Sequence, residues 1–168
     1  EMCKIEINDT SIILREKLAN KVVVLLERNI EKLINKNINF VAQKGEGIVY
    51  CRKLTKSDGL IDFNLSAKEI YNRWRAFYSW PGTYFFYHNK RIKVGLVELV
   101  KDYESKLEKN DIVGVILESK NRLLVGTKKG IISLAMLQKE GGKMLKAKEF
   151  LKGFEFKLGE QIQVSSSN

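Results

Sequence analysis

From Thr83 to Leu134 the chain reads as a series of short apolar segments closed off by turn-forming residues: Thr83–Tyr87, Arg91–Val100, Ile112–Leu117, Arg122–Thr127 and Ile131–Leu134. Segments of this length and spacing predict strands that pair antiparallel with their neighbours. His88-Asn89-Lys90, between the first two, predicts a hairpin. About five such strands with a helix packed near them predict a small OB-like antiparallel barrel, a shape that often presents a face or rim to nucleic acid. The fold class expected is α+β, mainly β, with flanking helices.

The helices are marked by their caps and periodicity. Ser66 and Glu69 have the spacing of a capping box, in which serine oxygen and glutamate each satisfy an orphan amide at a helix start. That helix is expected to run to about Tyr78, with Ile70, Trp74 and Phe77 on one face and so buried. Upstream, Asp9-Thr10-Ser11 offers several N-caps. Leu14, Leu18, Val22, Leu25, Leu26 and Leu33 follow at three- and four-residue spacing, predicting an amphipathic helix to about Asn35. Ala147–Lys152 reads as a last short helix ended by Gly153, and Ser165-Ser166-Ser167-Asn168 as a frayed tail. Ser57-Asp58-Gly59 predicts a tight turn, with glycine there for a positive φ.

One helix and one short strand cannot bury an apolar stripe, so the front of the chain reads as the remainder of a larger α/β unit. Gln43-Lys44-Gly45-Glu46-Gly47 reads as a connector, placing the divide near residue 45: 1–44 the end of one domain and its linker, 45–168 the barrel.

The apolar fraction, 44% with 30% charged residues, is that of a globular protein. Cys3 and Cys51 are far apart and have too few histidines near them for a zinc site, so they read as free thiols of a reducing compartment. No apolar run approaches the roughly 20 residues of a membrane span. The first residues lack the pattern of an export signal. The most informative number is the charge: 30 basic against 20 acidic residues give +10 and a pI near 9.5, an excess that favours a polyanion. AT-rich coding sequence inflates lysine and asparagine together and gives the same charge without a binding surface, so placement has to decide.

No catalytic centre assembles in the sequence. His88 is the only histidine and falls in a hairpin turn, Asp58 is a turn former before Gly59, Asp62 precedes a strand-to-helix passage, and Gly45-Glu46-Gly47 continues into neither glycine-rich phosphate motif. No metal site and no cofactor site is expected in this chain. Tyr71 to Trp80 interleaves rings with Arg73 and Arg75. The rings at helical spacing are expected in the core and the arginines outside, with Trp80 anchoring the turn before Pro81. Basic clusters recur at turns and element ends, where side chains are free to reach a phosphate. The nucleic-acid candidates are Arg52, Lys53, Arg73, Lys90, Arg91, Lys93, Lys128, Lys129, Lys143 and Lys146.

Several motifs carry a family resemblance. Lys53-Leu54-Thr55-Lys56-Ser57-Asp58-Gly59-Leu60-Ile61-Asp62-Phe63, then Ser66-Ala67, then Arg75-Ala76-Phe77-Tyr78-Ser79-Trp80-Pro81-Gly82 resemble the region joining the two domains of methionyl-tRNA formyltransferases. Leu137-Gln138, Gly142-Lys143-Met144 and Ala147 to Gly153 resemble that family's closing segment. The family's pattern departs here at Ser79 and at Asn39-Phe40-Val41-Ala42, where prolines are usual. The resemblance implies the C-terminal part of an enzyme that moves a formyl group from 10-formyltetrahydrofolate to methionine on initiator tRNA. Residues 1–44 would end a Rossmann-like catalytic domain and 45–168 would form an OB-like tRNA-binding domain. The family's catalytic Asn, His and Asp lie upstream of this sequence, so the chain alone is expected to be inactive. The implied partners are initiator methionyl-tRNA and the N-terminal catalytic domain, with the chain a monomer in a bacterial cytoplasm or, alternatively, a mitochondrion or plastid. Sugar-nucleotide N-formyltransferases share part of this architecture and form the alternative reading. Lys53 to Gly59 and the Gly-Lys-Met segment favour the tRNA enzyme.

Overall fold

A computed structural model describes residues 2–42, 45, 47–101 and 112–162. The chain divides into two units, Glu1–Leu54 and Thr55–Asn168. The Ser165–Asn168 tail and most of the Gln43–Gly47 connector lie outside the described residues.

The first unit is built on one helix, α1 (Ser11–Ile34), capped by Thr10, whose hydroxyl accepts from the Ile13 amide at 3.5 Å. Asp9 is buried and takes the Lys17 ammonium at 2.7 Å, which holds that lysine's pKa above its usual value. No residue of α1 is buried, although its apolar stripe falls where periodicity places it.

The second unit opens with a 3-10 turn, Lys56–Gly59. The Asp58 carboxylate accepts from the Thr55 amide (2.6 Å) and hydroxyl (2.9 Å) there. Gly59 is not in the left-handed region, contrary to the expectation from sequence. A Cβ on it would stand 2.1 Å from the Gly82 carbonyl oxygen, so close approach is what requires glycine. Asp62 is likewise structural, its Oδ1 accepting from the Asn64 amide at 2.9 Å. Helix α2 (Ala67–Phe77) begins in the capping box foreseen. The Glu69 carboxylate accepts from the Ser66 hydroxyl (2.6 Å) and amide (2.8 Å), and these bonds hold Glu69 below the usual carboxylate range. Ile70 and Trp74 are buried, while Phe77 is only half-buried, with the Arg73 guanidinium 5.4 Å over its ring.

Beyond Pro81, whose peptide bond with Trp80 is cis, six strands follow among the described residues: β1 (Thr83–Tyr87), β2 (Lys90–Leu99), β3 (Ile116–Ser119), β4 (Leu123–Gly126), β5 (Ile131–Lys139) and β6 (Leu145–Lys146). They form one curled antiparallel sheet in the order β1-β2-β5-β4-β3, with β6 also on β5. With its flanking helices this is the OB-like α+β class expected, an open half-barrel. Two strands differ from expectation by more than one residue at an end, and β6 is not among the strands the sequence predicts. β5 continues to Lys139 because β2 pairs with it along that whole length. β3 begins only at Ile116, because Gly114 has φ 74° and the Val115 amide closes a turn onto Ile112 at 2.9 Å. The last helix, α3, is one turn, Ala147–Phe150.

The core gathers Phe63, Phe85, Ile92, Val97, Ile116, Leu134, Leu137 and Ile162 with Ile70 and Trp74 of α2 and Phe150 of α3. The indole N–H of Trp74 donates to the Gly95 carbonyl at 3.2 Å, tying α2 to a bulge in β2. Trp80 does not anchor its turn: it is 52% exposed, and the turn is closed by the Gly82 amide on the Phe77 carbonyl at 3.0 Å.

Candidate nucleic-acid interface

The eight basic candidates of the second unit do not form one surface. Arg52 and Lys53 belong to the first unit, and Arg52 donates to the Lys53 carbonyl at 3.2 Å. Arg73 is engaged by its own fold, donating to the Asp58 carbonyl at 3.1 Å while covering Phe77. The remaining seven separate along β5.

Directly opposed residues of an antiparallel pair share a face, and successive residues alternate between faces. Ile92 and Val94 of β2 are buried, so Arg91 and Lys93 between and beside them point outward. Arg91 is opposed by Phe86 and Lys93 by Tyr84 on β1, while on the other side Lys93 is opposed by Gln138 of β5. Lys146 of β6 is opposed by Met136, which shares the outer face with Gly95, since a Cβ there would meet Met144 and Met136. Arg91, Lys93, Gln138 and Lys139 line a cleft of about 240 Å³ with Glu140 and Gly141. The amide of Gln138 donates to the Gly142 carbonyl at 2.7 Å and so fixes the loop that carries Lys143. The Arg91 guanidinium carbon lies over Tyr84, 3.9 Å from the ring centroid.

Lys90 points to the other face, its ammonium 5.7 Å from the centroid of Phe154. Lys128 and Lys129 occupy the turn from β4 to β5, at the opposite end of β5 from Lys139. At the usual rise per residue the eight steps from Ile131 to Lys139 cover about 26 Å. That turn is committed to the fold, with the Lys128 amide on the carbonyls of Phe63 and Leu65 and the Lys129 carbonyl accepting from Ala67. The Lys128 charge also helps hold Glu69 ionised.

Sequence reasoning missed Lys139, Gln138 and Glu140, because β5 was expected to end at Leu134. It also missed a cluster below the hairpin. His88 is an exposed turn residue as foreseen, yet its Nε2 meets the Glu160 carboxylate and its ring stacks on Tyr87 at 4.2 Å. The Tyr87 hydroxyl donates to Glu160 at 2.6 Å and accepts from the Lys157 amide at 3.0 Å. Burial, then the bond to Glu160, pushes the phenol up, and the bond from Tyr87, then that from His88, holds Glu160 down. This cluster joins the C-terminal segment to the hairpin. Among the described residues no group of His, Cys, Asp or Glu stands together as a metal would require, and no helix is long and apolar enough to cross a membrane. Both cysteines are free.

Residues 53–155 match the family model described as "Formyl transferase, C-terminal domain", and the chain belongs to that family. Over this region it is homologous to methionyl-tRNA formyltransferases. It is 38% identical over 152 residues to that of Thermodesulfovibrio yellowstonii, covering 89% of this chain and 47% of the relative. To that of Caldicellulosiruptor saccharolyticus it is 34% identical over 161 residues, covering 95% and 50%. The chain therefore spans about half the length of the curated relatives it matches. Among solved structures, HypX from Aquifex aeolicus in complex with tetrahydrofolic acid matches with a TM-score of 0.60 at 16% identity, over 99% of this chain and 30% of HypX. At that identity the likeness concerns the fold alone.

Proposed function

We propose that this chain is the C-terminal portion of a methionyl-tRNA formyltransferase and that its OB-like unit holds initiator tRNA by phosphate contacts. In this reading residues 1–44 end the catalytic domain and its linker. The half of the relatives that this chain does not span supplies the chemistry, moving formyl from 10-formyltetrahydrofolate to the methionyl amino group. The observation that carries it is the match of residues 53–155 to the formyl transferase C-terminal domain, in a chain similar to the methionyl-tRNA formyltransferases of Thermodesulfovibrio yellowstonii and Caldicellulosiruptor saccharolyticus. The charge supports it, since a net +10 suits a polyanion and phosphate contacts position a nucleic acid without reading its sequence. Free thiols fit a reducing compartment, the bacterial cytoplasm or an organelle that formylates its initiator.

The test is a fusion of this chain to the N-terminal half of the Thermodesulfovibrio yellowstonii relative, assayed for formylation of methionyl-tRNA. A lower KM for tRNA than that half shows alone is expected. A folded fusion with the same KM as the half alone would rule the role out.

A further inference from the structure

The cations of the second unit differ in what they already touch. Arg122 pairs with Glu118, Lys152 with Glu149, and Arg73 and Arg75 are bonded to Asp58 and Asn72. Arg91, Lys93, Lys139, Lys143 and Lys146 have no ion pair among the described residues, and all five lie at one end of the sheet: Arg91 and Lys93 on the outer face of β2, Lys146 opposite Met136, and Lys139 and Lys143 at the end of β5 and in the loop after it, with Lys139 reaching the cleft beside Arg91 and Lys93 although its register partner is Ile92. Resting on the tRNA-holding reading, we propose that this outer face is the phosphodiester site, with Arg91, Lys93 and Lys139 around the cleft as its centre and Lys143 and Lys146 as its extension. Lys128, Lys129, Arg73 and Lys90 lie outside it.

Three features point to a phosphate backbone as the ligand. Arg91 and Lys93 stand two residues apart on one face of β2, about 7 Å along the strand, a separation comparable with that of successive phosphates along one nucleic-acid strand. The Arg91 guanidinium sits against the Tyr84 ring, 3.9 Å from its centroid, with no carboxylate paired to it among the described residues, and its Nε has no acceptor there. Gln138 is bonded to Gly142, which holds the Lys139–Lys143 loop over the cleft before any ligand arrives. Among the described residues lining the cleft Glu140 is the only acidic one, and it opposes the anion.

The test compares charge-matched variants of the whole chain by anisotropy of labelled initiator tRNA at about 100 mM salt. Lys93→Glu/Lys139→Glu and Lys128→Glu/Lys129→Glu change the net charge equally. The two sites are about 26 Å apart along β5, well beyond the screening length of about 10 Å. The first pair is expected to weaken binding roughly 10-fold or more and the second less than about 3-fold, with Glu140→Gln strengthening it about 2-fold. All four side chains of the two pairs are exposed. Arg91→Gln provides an independent variant, also expected to weaken binding. If wild type binds tRNA and the two pairs weaken it equally, the proposed placement is wrong while the tRNA-holding reading stands. If wild type binds no tRNA at low salt, or takes up anionic phosphatidylserine vesicles in preference to tRNA, both fail.

Discussion

Gly59→Ala tests the joint between the two longest family motifs, because Gly59 in the first is packed on Gly82 in the second. The new methyl would start 2.1 Å from the Gly82 oxygen and 3.2 Å from its carbon. Relief requires a backbone shift of about 1 Å, since unstrained carbon–oxygen contacts begin a little beyond 3 Å. Neither side yields cheaply. Gly82 is held by its amide on Phe77 at 3.0 Å, and the segment after Gly59 is held by the Ile61 amide on Tyr84 at 2.8 Å. Overpacking of about 1–3 kcal/mol plus one weakened backbone bond of about 1 kcal/mol gives a cost of about 2–4 kcal/mol. For a unit of this size that lowers Tm by about 8–16 °C. Thermal unfolding followed by circular dichroism measures it, with Gly153→Ala as the control, because a Cβ there meets nothing within 4 Å. A Gly59→Ala protein melting within about 2 °C of wild type would refute the packing account of this glycine.

Ser66→Ala removes the α2 cap and is expected to cost about 1 kcal/mol in urea unfolding, with Lys68→Ala on the same exposed turn nearly neutral. Trp74→Phe removes the indole bond to Gly95 and should cost about 1–3 kcal/mol by the same measurement. The Tyr87–Glu160 pair sets a pH dependence at both ends. Glu160 is held below its unfolded value, so its contribution is complete above about pH 4.5 and is lost as pH falls through its folded pKa. Tyr87 is raised, so its contribution is complete below about pH 10 and is lost as pH rises through its folded pKa. Glu160→Gln should therefore flatten the acid limb of a Tm-against-pH curve, and an unchanged limb would show that other carboxylates carry it.

What was legible in the sequence was local. The Ser66–Glu69 box, the Pro81-Gly82 turn and the hairpin at His88-Asn89-Lys90 each announce themselves within a few residues, and each stands where it was placed. Pairing was not legible. Nothing near Leu134 says that β5 continues to Lys139, since that length is set by β2 on one side and by β4 and β6 on the other. The candidate site inherits that blindness. Arg91, Lys93, Lys143 and Lys146 stand out in the sequence as clusters, but only the pairing of β2, β5 and β6 sorts them from Lys128 and Lys129, and only the cleft adds Lys139. Arg73 is exposed, as its place on the helix predicts, but the sequence does not show that a carbonyl fifteen residues upstream also holds it. Gly59 was identified as structurally required for the wrong reason, because conformational freedom and close approach leave the same letter in a sequence.

Titration of labelled initiator tRNA with this chain across a salt series, beside a random single-stranded RNA, tests most directly whether the chain is an RNA-holding module. With three to five phosphates neutralised at the proposed face, affinity for the tRNA should fall roughly 40- to 500-fold between about 50 and about 200 mM salt. The folded tRNA should be favoured over the single strand. Affinity that is indifferent to salt, or no binding at the lowest salt, would contradict a phosphate-holding role for the unit.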